Sequence, residues 1–137
     1  MKSRDALIRL KSFEVEEKRR KVTEIELMIN EFNQMAIDLD RQIAIEQERA
    51  GVSDVNHYAY PTFAKAAIQR RNNLAASAVD LEAQLEAARQ ILGDSLEDLK
   101  KLELLEERDA ERVRLEQSRA GTGTLSGTSA AAHRVAS

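Results

Sequence analysis

The chain has 137 residues, a length typical of one domain, and a net charge of −3. Ala, Glu, Lys, Leu and Arg supply a little over half of it, which is the composition of long helices, whereas aromatic residues make up only 4%. The absence of cysteine excludes disulfides, thiolate metal sites and a cysteine nucleophile. The acidic balance argues against broad nucleic-acid binding. No apolar run approaches the roughly 20 residues of a membrane span, so we expect no membrane insertion.

A heptad pattern of apolar residues predicts a first helix over residues 4–50. Alternate steps of three and four residues meet an apolar side chain at nine of eleven positions, and so narrow a stripe is typical of a coiled-coil seam. The two exceptions are lysines. Either the seam is looser there, or these lysines face a third element. The stripe consists of Ile8, Lys11, Val15, Lys18, Val22, Ile25, Ile29, Phe32, Ala36, Leu39 and Ile43.

Residues 51–61 interrupt the helical pattern and predict a chain reversal. Gly51 suits the position that follows a helix C-terminus, and Pro61 suits the first turn of a new helix. Three aromatic residues cluster here, Tyr58, Tyr60 and Phe63. They either cover the end of the hairpin or form an exposed aromatic anchor for a partner.

A second stripe predicts a helix over residues 62–119, with Gly93 as its one weak position. Ten of its twelve positions are apolar. Residues 121–137 lose both period and charge, which predicts a disordered low-complexity tail after a hairpin domain of residues 1–120. The second stripe consists of Ala64, Ala67, Arg71, Leu74, Ala78, Leu81, Leu85, Ala88, Leu92, Ser95, Leu99 and Leu102.

The distribution of charge predicts that the two helices run antiparallel. Folding the chain about residue 56 places residues 2–21, with a net charge of +4, beside residues 91–110, with a net charge of −4. Residues 111–119 then extend beyond the first helix. The predicted fold is therefore all-α, an antiparallel coiled-coil hairpin of two long helices with a disordered C-terminal tail.

Residues that could carry chemistry are scattered. His57 lies in the turn and His133 in the tail, neither with a partner at catalytic or metal-binding spacing, and the carboxylates follow solvated helix faces. We therefore expect no enzyme activity, no cofactor and no metal. The basic run of residues 18–21 has three interpretations: a solvated face, a contact for an acidic protein, or a contact for nucleic acid.

Three segments resemble the FliJ family of flagellar export proteins, in particular its alphaproteobacterial branch. They are the opening KSRDALIRLK with EEKR at residues 16–19, the turn HYAYP at residues 57–61, and KKLELLEER at residues 100–108. The resemblance covers residues 1–119. It implies an antiparallel coiled-coil hairpin that resembles the rotor stalk of rotary ATPases. Such a protein is cytoplasmic and associates peripherally with the inner membrane at the flagellar base, where it serves type III protein export and thereby motility.

The resemblance also implies partners. Members of the family bind the centre of the export ATPase ring and promote its assembly and activity, contact the cytoplasmic domain of the export gate, and escort export chaperones. Family contacts with the gate, carried across by position, fall on Phe63, Ala67, Arg70 and Leu74. For the ATPase ring we expect the end of the hairpin where both termini meet, with the candidates Arg4, Arg9, Arg108, Arg112 and Arg114.

Two other functions remain open on the sequence. A structural spacer that forms a homo-oligomer without any ATPase connection is one, although lysines in the seam favour a hairpin that is monomeric when free. An RNA-binding helical arm is the other, although the acidic stretches of residues 22–50 and 80–120 argue against it.

Overall fold

The computed structural model describes the backbone of residues 2–136 and the side chains of residues 3–121. Over residues 2–136 the chain is helical apart from one connection, with α1 at Lys2–Ala50 and α2 at Thr62–Ala136, and the two helices pack against each other. The predicted all-α fold is confirmed, and α1 begins two residues before the predicted start. The bounds of α2 include most of the predicted tail. Because the side chains of residues 122–137 lie outside the described part, its disorder stays a prediction.

The chain divides into two compact units. Unit 1 comprises Met1–Phe13 and Leu96–Ser137, and unit 2 comprises Glu14–Ser95. Each unit contains a part of α1 and a part of α2.

Unit 2 contains the apolar core. One cluster joins Ile25 and Ile29 of α1 to Leu81 and Leu85 of α2, with Ala88 beside them. A second cluster joins Leu39 and Ile43 of α1 to Ala67 of α2. Full burial of a Leu or Ile side chain contributes about 1.5–3 kcal/mol, so these clusters are the main source of stability in unit 2.

The predicted seam is confirmed position by position. Every residue of both stripes is buried or half-buried, whereas most of their helical neighbours are exposed. In unit 2 the Arg71 guanidinium lies 2.9 Å from the Asp40 carboxylate, which agrees with a fold-back near residue 56. The antiparallel register predicted from charge is therefore confirmed in this unit.

Unit 1 has no fully buried side chain among residues 3–13 and 96–121. Its stripe residues, such as Ile8, Leu99 and Leu102, are half-buried. Apolar burial therefore holds unit 1 together less strongly than unit 2.

The connection between the helices is ordered by local hydrogen bonds. Gly51 adopts a φ of 67°, a conformation that favours glycine, and ends α1 as predicted. The Asp54 side chain accepts a hydrogen bond from the Asn56 amide at 3.0 Å, and the Asp54 carbonyl accepts one from the His57 amide at 3.0 Å. The amide of Lys65 donates to the Pro61 carbonyl at 3.1 Å, which starts α2 at the predicted place.

Candidate partner-binding surfaces

Arg4, one of the residues predicted to bind the ATPase ring, is engaged within the chain. Its guanidinium forms an ion pair with the Asp109 carboxylate, lies 3.8 Å from the Glu106 carboxylate and donates to the Leu105 carbonyl at 3.4 Å. The Arg4 side chain is 22% exposed. Arg4 therefore joins α1 to α2 within unit 1, and its contact with the ATPase ring stays a prediction.

The sequence interpretation missed the acidic partners of Arg4. Glu106 and Asp109 continue the spacing of the second stripe beyond Leu102, and both are half-buried. The spacing of the second stripe could have identified them, because its steps of three and four residues continue after the side chains change from apolar to charged. Lys11 repeats the arrangement, because its ammonium lies 3.4 Å from the Asp98 carboxylate. The seam of unit 1 is therefore partly ionic.

The other arginines predicted for the ring are exposed. Arg112 pairs with Asp109 at 3.4 Å and Arg114 with Glu111 at 2.8 Å, both along one helix, while Arg9 and Arg108 face solvent. All residues from 110 to 120 are exposed as well. The predicted extension of α2 beyond α1 thus presents a single helix with charges of both signs.

The three aromatic residues at and just after the connection divide between the two roles predicted for them. Tyr60 is 5% exposed, and its hydroxyl accepts a hydrogen bond from Gln47 at 2.9 Å, so it fixes the connection against α1. Tyr58 is 96% exposed and stacks on the His57 ring at 4.6 Å, and Phe63 is 58% exposed. Tyr60 therefore covers the end of the hairpin, whereas Tyr58 and Phe63 are accessible to a partner.

The four residues predicted for the gate do not form one accessible face. Ala67 is 5% exposed within the core cluster of Leu39 and Ile43, and Leu74 packs against that cluster. Both belong to the seam, which turns them toward α1. Of the four residues only Phe63 and Arg70 are exposed, and a contact of this set with the gate stays a prediction.

A continuous exposed face does begin at Phe63. Steps of three and four residues lead from it to Ala66, Arg70 and Asn73, all of them exposed. This turn-side face combines an aromatic ring, a small residue and a guanidinium. Aromatic and arginine side chains are the types that contribute most to binding energy at protein interfaces.

The candidate chemical residues remain dispersed. The Nδ1 atom of His57 accepts a hydrogen bond from the Ala59 amide at 3.0 Å, so this ring shapes the connection, and His133 lies outside the described side chains. Within the described residues, no three His, Cys, Asp or Glu side chains are grouped so that they could hold a metal ion. The basic run does not form one patch either: Arg19 lies 3.6 Å from Glu16, whereas Lys18 is half-buried.

No family model, no curated protein and no solved structure matches this chain. Within the described residues, neither helix contains a stretch long and apolar enough to cross a membrane.

Proposed function

We propose that this protein is a stalk-like, non-enzymatic regulator of flagellar type III protein export that belongs with the FliJ family. The observation that carries the proposal is the single exposed helix of residues 110–120, which follows directly on the ion pair of Arg4 with Asp109. A single helix whose surface bears charges of both signs can contact several subunits of a ring without requiring one fixed set of complementary residues. The resemblance of the opening, the turn and residues 100–108 supports the same assignment.

In this proposal the start of α1 and the neighbouring part of α2, with its exposed residues 110–120, bind the export ATPase. Arg9, Arg108, Arg112 and Arg114 contact the ring, and Arg4 holds α1 against α2 beneath them. The hairpin binds the assembled ring more tightly than loose subunits, so it shifts the equilibrium toward the hexamer and raises ATP turnover.

The turn-side face that begins at Phe63 contacts the cytoplasmic domain of the export gate, and export chaperones are further partners. The protein acts in the cytoplasm, at the inner-membrane base of the flagellum. It needs no cofactor, and its effect on export is mechanical and allosteric.

The test is ATP turnover and oligomerisation of the purified export ATPase of the same organism. Wild-type protein is expected to raise both. The triple substitution Arg108→Glu, Arg112→Glu and Arg114→Glu removes the effect, because it replaces three positive charges in and beside the exposed helix with negative ones. Arg41→Glu, at an exposed position of unit 2, is the control and retains the effect. Turnover that wild-type protein leaves unchanged would rule out this function.

A further inference from the structure

An apolar groove runs along one side of the helix pair in unit 2. It has a volume of about 390 Å³, and its apolar lining comes from Ile25 of α1 and Ile91 of α2 with the small residues Ala87 and Ala88. A neighbouring depression of about 240 Å³ shares Gln84 with it. Small residues on α2 leave room for another helix to approach closely.

Two large apolar side chains on this side of unit 2 remain accessible. Ile91 in the groove is 50% exposed, and Met28 in the neighbouring depression is 41% exposed. Methionine adapts its shape to a packing partner at low cost. A second helix on this side would remove both side chains from water.

Two lysines line the same groove. Lys18 is half-buried and Lys21 is exposed. Among the side chains of residues 3–121, neither lysine forms an ion pair. An occupant of the groove that brings carboxylates to this end therefore gains electrostatic complementarity.

We propose that the occupant is a second copy of this chain, with the two α1 helices antiparallel about a twofold axis between residues 17 and 18. The charge of α1 supports this arrangement: residues 14–17 carry a net −3 and residues 18–21 a net +4. An antiparallel pair brings the basic part of each helix beside the acidic part of the other. A twofold interface uses the same surface on both copies, and this surface is complementary to itself.

The register places matching side chains at the same level. Glu17 lies level with Lys18 of the second copy, and Glu14 lies level with Lys21 of the second copy. Each contact occurs twice because of the twofold axis. Lys18, a seam lysine that disfavours self-association when one hairpin is considered alone, thus acquires a partner in the dimer.

The dimer is weak and sensitive to salt. Exposed ion pairs contribute only about 0.2–1 kcal/mol each, and salt screens them. The dimer goes beyond the proposed function, because it involves neither the ATPase nor the gate. Failure of either proposal leaves the other intact.

Sedimentation of the full-length protein from about 1 to about 200 µM, in about 50 and about 500 mM NaCl, tests the proposal. A monomer–dimer equilibrium that shifts toward monomer at high salt is expected. Glu14→Lys and Lys21→Glu each weaken the dimer roughly tenfold or more, because two attractive contacts become repulsive. Arg20→Glu changes the charge by as much as Lys21→Glu on another face of α1, and leaves the dissociation constant within about twofold.

Two combinations separate pairing from misfolding. An equimolar mixture of the Glu14→Lys and Lys21→Glu proteins forms a heterodimer, since every contact between positions 14 and 21 again joins opposite charges. The double variant Glu14→Lys/Lys21→Glu forms a homodimer for the same reason. A monomer at every concentration, a dimer insensitive to both single reversals, or a mixture that stays monomeric would overturn the proposal. A monomer would leave the groove to a helix of another protein.

Discussion

The Arg4 guanidinium pairs with the Asp109 carboxylate across 105 positions of sequence, at the point where the seam of unit 1 changes from apolar to ionic. Glu106 shares the same guanidinium. The described part of unit 1 contains no fully buried side chain, so this contact is a large part of what joins α1 to α2 there. Its position beside the single helix of residues 110–120 links the stability of unit 1 to the proposed ring contact.

Arg4→Ala is expected to lower the free energy of opening of unit 1 by about 1 kcal/mol, because Glu106 and Asp109 lose their shared counter-charge. Hydrogen exchange of the α2 amides around residues 100–109 measures this loss, and high salt reduces it. Arg9→Ala is the control, since Arg9 is exposed in the same turns of α1. Equal exchange in the two variants would show that the Arg4 contact does not hold the helices together.

Substitution of glycine by alanine should have opposite effects on the free energy of unfolding at two positions, Gly93 and Gly51. Gly93 lies in α2, and an added Cβ would meet nothing within 4 Å beyond its chain neighbours and the local helix backbone, so Gly93→Ala should raise the free energy of unfolding by about 1 kcal/mol. Gly51 has a φ of 67°, so Gly51→Ala should lower it by about 1 kcal/mol or more. Thermal unfolding followed by circular dichroism measures both. A stabilising Gly51→Ala would contradict the described end of α1.

Tyr60→Phe tests the role of the buried aromatic side chain in the connection. The substitution removes the hydroxyl that accepts from Gln47, and it should cost about 1 kcal/mol of stability. Tyr58→Phe is the matched control, because Tyr58 is almost fully exposed and should change stability by less than about 0.5 kcal/mol. Chemical denaturation measures both variants. Equal losses would argue against a specific bond between Gln47 and Tyr60.

The seam was predictable because the two stripes are long and their period is regular. Steps of three and four residues identify a helical face even where a lysine replaces an apolar residue, and Lys11 and Lys18 are indeed half-buried. The sums of charge were sufficient to choose the antiparallel register, because whole stretches of opposite sign meet.

The binding surfaces were harder to predict. Glu106 and Asp109 are seam residues by position but surface residues by type, so hydropathy alone conceals their contact with Arg4. Tyr58 and Tyr60 are identical by type and differ only through the local path of the connection. Ala67 was assigned to a partner by resemblance even though its place in the second stripe already predicts burial. When the two indications conflict, helical periodicity is the better guide to accessibility.

Substitutions along the start of α2 separate binding from folding. Under the proposed function, Phe63→Ala and Arg70→Ala should each weaken binding to the cytoplasmic domain of the export gate by tenfold or more, roughly the loss of one interface hot spot. They should change the unfolding free energy by less than about 0.5 kcal/mol, since both side chains are exposed. Calorimetric titration gives the affinity, and chemical denaturation gives the stability.

Ala67→Leu, in the same segment, should have the opposite effect: it lowers stability and leaves gate binding by the folded protein intact. Extra methyl groups at this buried position crowd Leu39 and Ile43, and they should cost about 1–3 kcal/mol of stability. Any loss of gate binding in this variant should follow the fraction unfolded and disappear at low temperature. If instead Ala67→Leu abolished binding in a fully folded protein while Phe63→Ala bound normally, the partner would reach the seam itself, and the face that begins at Phe63 would not be the binding surface.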